Sequence, residues 1–282
     1  PSTPCSDMRL ANIDRDRAAW KTTGHPIARH TYDMLVVVDR PPRLLLLNGA
    51  GGQGRCVERT PPGLNDQYFI RGRVGHYDIA GRAWTFGAPP GWQGYGAAEW
   101  DPVSRRVVVV NANSLSTYDP DTQDAVRHLQ YTRGELAYAK NLVYFPPNQK
   151  MYYIVDGDAV FEVTLDRENF ARSTITRVTD ITGDIPRLRE TGFAYDPIHK
   201  AIGGAVRDGV FYAYLPLTKT WLSRKIETDP PGLRVGSLAF HALDYDPVNG
   251  VFVFMTDYPS GWRTWVFRFS QAHGTDVGAS RA

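Results

Sequence analysis

The sequence has 282 residues, with 32 Lys and Arg against 30 Asp and Glu, a formal net charge of +2. So even a balance excludes long-range attraction to nucleic acid or an anionic membrane, and neither is expected as a partner. No apolar run approaches the ~18 residues of a membrane span, and the opening PSTPCSDM lacks the charged-then-apolar order of a signal segment, as in a mature secreted or trimmed chain.

The first patterned stretch is NIDRDRAAWKTTG, around Trp20. Then comes an apolar run, a turn rich in Asp and Pro, and a second apolar run: LVVVDRPPRLLLLN. The same unit recurs as AAEWDPVSRRVVVVN, NLVYFPPNQKMYYIVD, GFAYDPIHKAIGGAV and ALDYDPVNGVFVFMT. The turns at Asp39, Asp101, Pro146, Asp196 and Asp246 are 62, 45, 50 and 50 residues apart, so five copies fill the chain.

Each copy predicts a β-hairpin, because β-branched and aromatic residues flank turn formers. A second hairpin follows in most copies: VGHYDIAGRAWTF, LSTYDPDTQDAVRHL, VFEVTLDRENFARSTITRV and VFYAYLPLTKTWLSRKI. Tyr77 and Trp84 are seven apart, as are Tyr214 and Trp221. Four strands per unit at this period predict an all-β, five-bladed β-propeller of antiparallel blades, with six blades as the alternative. The expected blades cover residues 27–87, 94–130, 138–179, 189–227 and 238–270 of a single domain. The last copy shows only three strands and a polar tail, so residues 8–24, with Trp20 in the role of Trp84, are expected to supply its fourth strand.

The strand ending in NGAGG, followed by HYDIAGRAW, resembles a kelch repeat of galactose-oxidase-type propellers, which are common in bacterial secreted proteins. The resemblance covers most of the chain, although only the first copy has the double glycine Gly51–Gly52. It implies a propeller and leaves activity open, since kelch units serve enzymes and scaffolds alike. The copper ligands of galactose oxidase have no evident place here, so that chemistry is not carried over.

GAGGQG could suggest a phosphate loop, but such a loop needs a helix next, and RCVERTPPGLNDQYFIRG has no helical period. Residues 49–72 instead form the one large insertion, on the face where loops around the channel mouth carry function. Cys5 and Cys56 are the two cysteines. As a disulfide they would close a long loop, contribute ~4 kcal/mol and argue for an oxidising compartment; two free thiols are the alternative.

Aligned on their turns, the copies present Asp33, Tyr95, Lys140, Glu190 and Phe240 six positions before the turn. Met34, Gly96, Asn141, Thr191 and His241 stand five before. These vary, whereas Val38, Trp100, Phe145, Tyr195 and Tyr245, one before the turn, are uniformly apolar and expected to pack. Interblade loops add His30, Trp92, Tyr138, Arg187, Arg189, Tyr258 and Trp262. Aromatic faces beside carboxylates, arginines and amides suit sugars. Glu99 and Asp244 are expected as buried acids in inner strands, needing partners. The seven histidines lack a metal-ligand spacing, no serine elbow is present, and no metal or cofactor is expected.

Two readings result. One is an extracytoplasmic (secreted or periplasmic) carbohydrate-binding or carbohydrate-active propeller that takes a polysaccharide or oligosaccharide. As a polysaccharide lyase it would use His30 or His241 as base, Tyr95 or Tyr138 as acid and Arg71 or Arg189 to neutralise a uronate. As a glycosidase it would use Asp33 and Glu190. The other is a non-catalytic kelch-like scaffold recognising a protein or glycan.

Overall fold

The computed structural model describes residues 13–14, 19–26, 29–30, 33–39, 41–47, 50–51, 73–89, 96–131, 140–188, 191–229, 231–233, 235, 238–256, 262–269 and 277–281. Among them every regular element is a strand except one 3-10 turn, Phe170–Arg172. The strands build five four-stranded antiparallel β-propeller blades, as the repeat predicts. No described helix is long and apolar enough to cross a membrane. Two compact units divide the chain, Pro1–Tyr138 and Ala139–Ala282.

The first unit holds two blades. Blade one is Leu35–Asp39, Pro42–Leu46, Gly75–Asp78 and Ala83–Phe86; blade two is Gly96–Asp101, Arg106–Asn111, Ser114–Tyr118 and Ala125–Gln130. In the VVV run alternation decides burial: Val36 and Val38 face inward while Val37 is 57% exposed. Val36, Val38, Leu45 and Leu47 of blade one share a core with Val107, Val109 and Tyr118 of blade two. A blade is apolar on both faces and becomes stable by stacking on its neighbour.

The second unit repeats this three times. Blade three is Asn141–Phe145, Lys150–Asp156, Ala159–Thr164 and Thr174–Arg177. Blade four is Phe193–Asp196, Ala201–Arg207, Val210–Leu215 and Thr220–Lys225. One core joins Phe145, Tyr152 and Val160 of blade three to Ile202, Tyr214 and Trp221 of blade four. A second joins Phe211 of blade four to Phe252, Trp265 and Phe267 of blade five. The position before each turn packs here as expected: the Phe145 and Tyr195 rings meet edge to face at 5.3 Å. The Tyr–Trp spacing is also explained, since Tyr77 pairs with Trp84 and Tyr214 with Trp221 across their hairpins, each ring pair 5.1 Å apart. Trp84, however, is half-buried, whereas Trp221 is fully buried.

The Asp-Pro turns owe their shape to the aspartate. Asp196 Oδ1 accepts hydrogen bonds from the N–H groups of Ile198 (2.9 Å) and His199 (3.3 Å). Asp246 Oδ1 does the same for Val248 (2.9 Å) and Asn249 (3.2 Å). In blades two to five the backbone turns left-handed four residues after the last residue of the first strand: Arg105 (φ 55°), Gln149 (57°), Lys200 (51°) and Gly250 (65°).

Blade five departs from expectation. Its strands are Leu238–Asp246, Val251–Thr256, Arg263–Arg268 and Val277–Arg281, and the last of these pairs antiparallel with the third, Trp265 opposite Arg281. The fourth strand therefore comes from the polar tail rather than from residues 8–24. An outermost strand needs backbone pairing more than apolar side chains, so its composition hid it. Of the N-terminal stretch, Ile13–Asp14 pairs with Ala19–Trp20 as a short hairpin.

Glu99 is half-buried rather than buried; the Asp244 residue is exposed overall, yet burial still pushes its carboxyl above the usual carboxylate range. Each accepts from the next residue's N–H, Trp100 and Tyr245, at 2.7 Å. Ala50–Gly51, from the glycine-rich tail, forms a strand against Arg29–His30. Cys5, Cys56, Gly52 and the rest of the insertion through Gly72 lie outside the described residues.

Candidate functional site

The candidate residues were chosen at the edge where innermost strands begin and second strands end. In the first unit, the Asp33 carbonyl accepts from Ala98 N–H at 2.8 Å, linking the start of blade one to the innermost strand of blade two. His30 lies in the two-residue strand opposite Ala50. Arg71, Trp92, Tyr95 and Tyr138 lie outside the described residues, as do Arg189, Glu190 and Tyr258 in the second unit.

The second unit shows this edge in detail. Lys140 Nζ donates to the Val155 carbonyl at 3.0 Å. Burial pushes its ammonium below the usual lysine range, and the Asp156 carboxylate works against that shift. Asn141 is buried and donates through Nδ2 to the Thr191 carbonyl at 2.5 Å, tying the start of blade three to the start of blade four. The polar ends of both residues are thus engaged by the framework. His241 sits in the stretch of blade five where the ladder register shifts between Leu238 and Leu243. Trp262 is 57% exposed.

Segment 182–188 runs between blades three and four and is held by both. Asp156 Oδ1 accepts from the N–H of Leu188 and of Gly157, both at 2.8 Å. On the blade-four side, Asp184 N–H donates to the Trp221 carbonyl at 3.0 Å, and Ser223 Oγ donates to Asp184 Oδ2 at 2.6 Å. Trp221 Nε1 in turn donates to the Gly157 carbonyl at 2.7 Å. Gly157 admits the segment this close, because a Cβ there would stand 2.1 Å from the Pro186 carbonyl oxygen.

Beside this segment opens a cavity of about 430 Å³, with Arg187, Thr191, Ala205, Arg207, Asp208 and Tyr212 in its wall. Ala205 is buried with φ +54°, an uncommon backbone state for a residue with a Cβ. Its N–H donates to the Gly192 carbonyl at 3.3 Å, and the strand register breaks between Gly204 and Arg207. Strict alternation would send neighbouring side chains to opposite faces. The bulge instead lets Ala205, Val206 and Arg207 all line one cavity.

Arg207 is held from two sides: Nη1 donates to the Arg187 carbonyl at 3.3 Å, and Nε lies 3.6 Å from Asp208 Oδ2. Two guanidinium groups, one carboxylate, a threonine and a tyrosine thus face a preformed concavity. That arrangement can hold a hydroxyl-rich ligand; among the described residues no histidine lines it. Thr191 came from the repeat alignment and Arg187 from the interblade loops. Arg207, Asp208 and Tyr212 were missed, because Asp208–Gly209 reads as an ordinary tight turn and no residue type announces a strained alanine. A second cavity of about 430 Å³, in the first unit, lies along outer-strand residues Trp84, Thr85 and Phe86 and holds none of the candidate residues. Among the described residues no cluster of side chains could hold a metal ion.

No protein-family model and no curated protein matches the chain. Solved structures do. A chain of the mitotic checkpoint complex is similar with a TM-score of 0.54 and 11% identity, over 99% of this chain and 71% of that one. TolB from Acinetobacter baumannii gives 0.47 and 12%, over 74% of this chain and 51% of that one. An auxiliary nutrient binding protein from Bacteroides thetaiotaomicron gives 0.45 and 14%, over 64% and 50%. The chain spans about half the length of these last two. Identities this low show shared fold alone.

Proposed function

We propose that the chain is an extracytoplasmic, kelch-like β-propeller that binds an oligosaccharide without cleaving it, and that the cavity beside Ala205 is its binding site. The observation that carries this is a preformed cavity of about 430 Å³ walled by Arg187, Thr191, Arg207, Asp208 and Tyr212. Its volume falls in the range of ordinary ligand pockets. Tyr212 offers a ring for the C–H face of a pyranose, and the charged groups and Thr191 offer donors and acceptors for hydroxyls. The lyase reading takes histidine as its base, and among the described residues of this wall none is a histidine.

The test is a glycan array probed with the folded protein, followed by incubation with uronate polymers while ultraviolet absorbance reports unsaturated product. Retention of a glycan without such product is expected. If no glycan is retained the sugar-binding reading fails, and if unsaturated product appears the chain is a lyase. Extracytoplasmic placement has its own check: titration of the denatured, unreduced protein should find Cys5 and Cys56 without free thiols.

A further inference from the structure

We infer that this cavity selects an acidic sugar, one whose ring carries a carboxylate, and that Arg187 is the group that reads the charge. The inference rests on the sugar-binding reading above and adds the ligand's class. Its ground is the unequal use of the two guanidinium groups. Arg207 is occupied by the Arg187 carbonyl and the Asp208 carboxylate. The Arg187 guanidinium has no hydrogen-bond or ion-pair partner among the described residues, while its backbone carbonyl accepts from Arg207.

That anchoring matters energetically. Leu188, the next residue, is held by Asp156, and Asp184, three residues earlier, is held by Ser223 and the Trp221 carbonyl. A guanidinium on a fixed backbone presents its planar fork with less entropy to lose, and the fork matches a carboxylate with two parallel bonds. Among the described side chains of the wall, Arg207 and Asp208 largely cancel, and Arg187 remains as an unmatched positive charge. A neutral sugar would leave that charge without a partner; a uronate would meet it.

Titration calorimetry with the trimers of galacturonate, glucuronate and mannuronate, each beside its methyl ester, tests this. The ester keeps the ring and hydroxyls and removes the charge. At least one acid should bind up to about fivefold more tightly than its ester, the span expected of an exposed ion pair. R187Q should abolish the difference between acid and ester, so that the two bind the variant alike, and keep the melting temperature of the parent. Ester and acid binding alike, or R187Q retaining the preference, overturns the inference while the sugar-binding reading stands. Binding of neither acids nor esters, together with an empty glycan array, overturns both.

Discussion

His76 Nε2 and the phenolic oxygen of Tyr118 lie 2.6 Å apart, joining the third strand of blade one to the third strand of blade two in the interior of the first unit. The two rings meet edge to face at 5.7 Å. Burial, reinforced by the Arg43 charge, pushes the imidazole down to about 4, and burial pushes the Tyr118 hydroxyl up. His76 is therefore neutral in the fold and bonded to a neutral phenol.

The pH dependence follows from that. An unfolded histidine protonates near 6.5, the folded one near 4, so the unfolded state binds the extra proton between those values. The stabilisation is fully present above about pH 6.5 and falls away as the pH drops toward 4, by about 3 kcal/mol in all. Urea midpoints measured from about pH 7.5 to about 4.5 should decline, and H76Q should flatten the decline. An H76Q protein with the parent's slope would assign the acid sensitivity to other groups.

The left-handed turn position separates two substitutions of opposite sign. Gly250 has φ +65°, and a Cβ there would come 3.0 Å from Ile198 Cδ1, so G250A should cost about 1 kcal/mol. Lys200 holds the same position in blade four at φ 51°, and K200G should be neutral to stabilising by about 0.5 kcal/mol. Thermal melts of the two variants decide it; equal shifts would mean that the turns do not share one geometry.

Blade five carries a buried donor with one partner to lose. Trp265 Nε1 donates to Thr256 Oγ1 at 2.8 Å, and both residues are fully buried. T256V keeps the shape and strands the indole N–H, which should cost roughly 1–3 kcal/mol, whereas T256S should restore most of it. Denaturant midpoints of the pair check the assignment.

Tryptophans can be ranked by burial. Trp221 packs on Tyr214 and Phe193 and donates to Gly157, so W221A should cost about 3–5 kcal/mol. W262A, at an exposed side chain, should stay within about 0.5 kcal/mol. Trp84, half-buried on an outer strand, should fall between them.

Asp156 holds the segment that carries Arg187, through Leu188 N–H. D156A should raise amide exchange across residues 184–188 and weaken oligosaccharide binding, although Asp156 does not line the cavity. Unchanged exchange at Leu188 would show that the segment is held by its blade-four contacts alone.

The five-blade plan was legible in the sequence because each hairpin is a local event: turn formers flanked by residues alternating with a period of two specify turn and register, and in blades two, four and five an Asp satisfies two backbone N–H groups of its own turn. The Tyr–Trp spacing worked for the same reason, since seven residues span one hairpin and bring two rings opposite each other. The fourth strand of blade five was not legible, because an outermost strand is recognised by its hydrogen-bonding neighbour and Val277–Arg281 has little apolar pattern of its own. Of the cavity's wall, the sequence pointed to Thr191 through the repeat alignment and to Arg187 through the interblade loops. That Ala205 turns left-handed, that the bulge brings three successive side chains to one wall, and that Asp156 secures the segment opposite were decided only by tertiary structure. The first two arise inside one blade's ladder and the third between neighbouring blades, and contacts between residues 32 and 64 positions apart leave no periodic trace in a chain read one residue at a time.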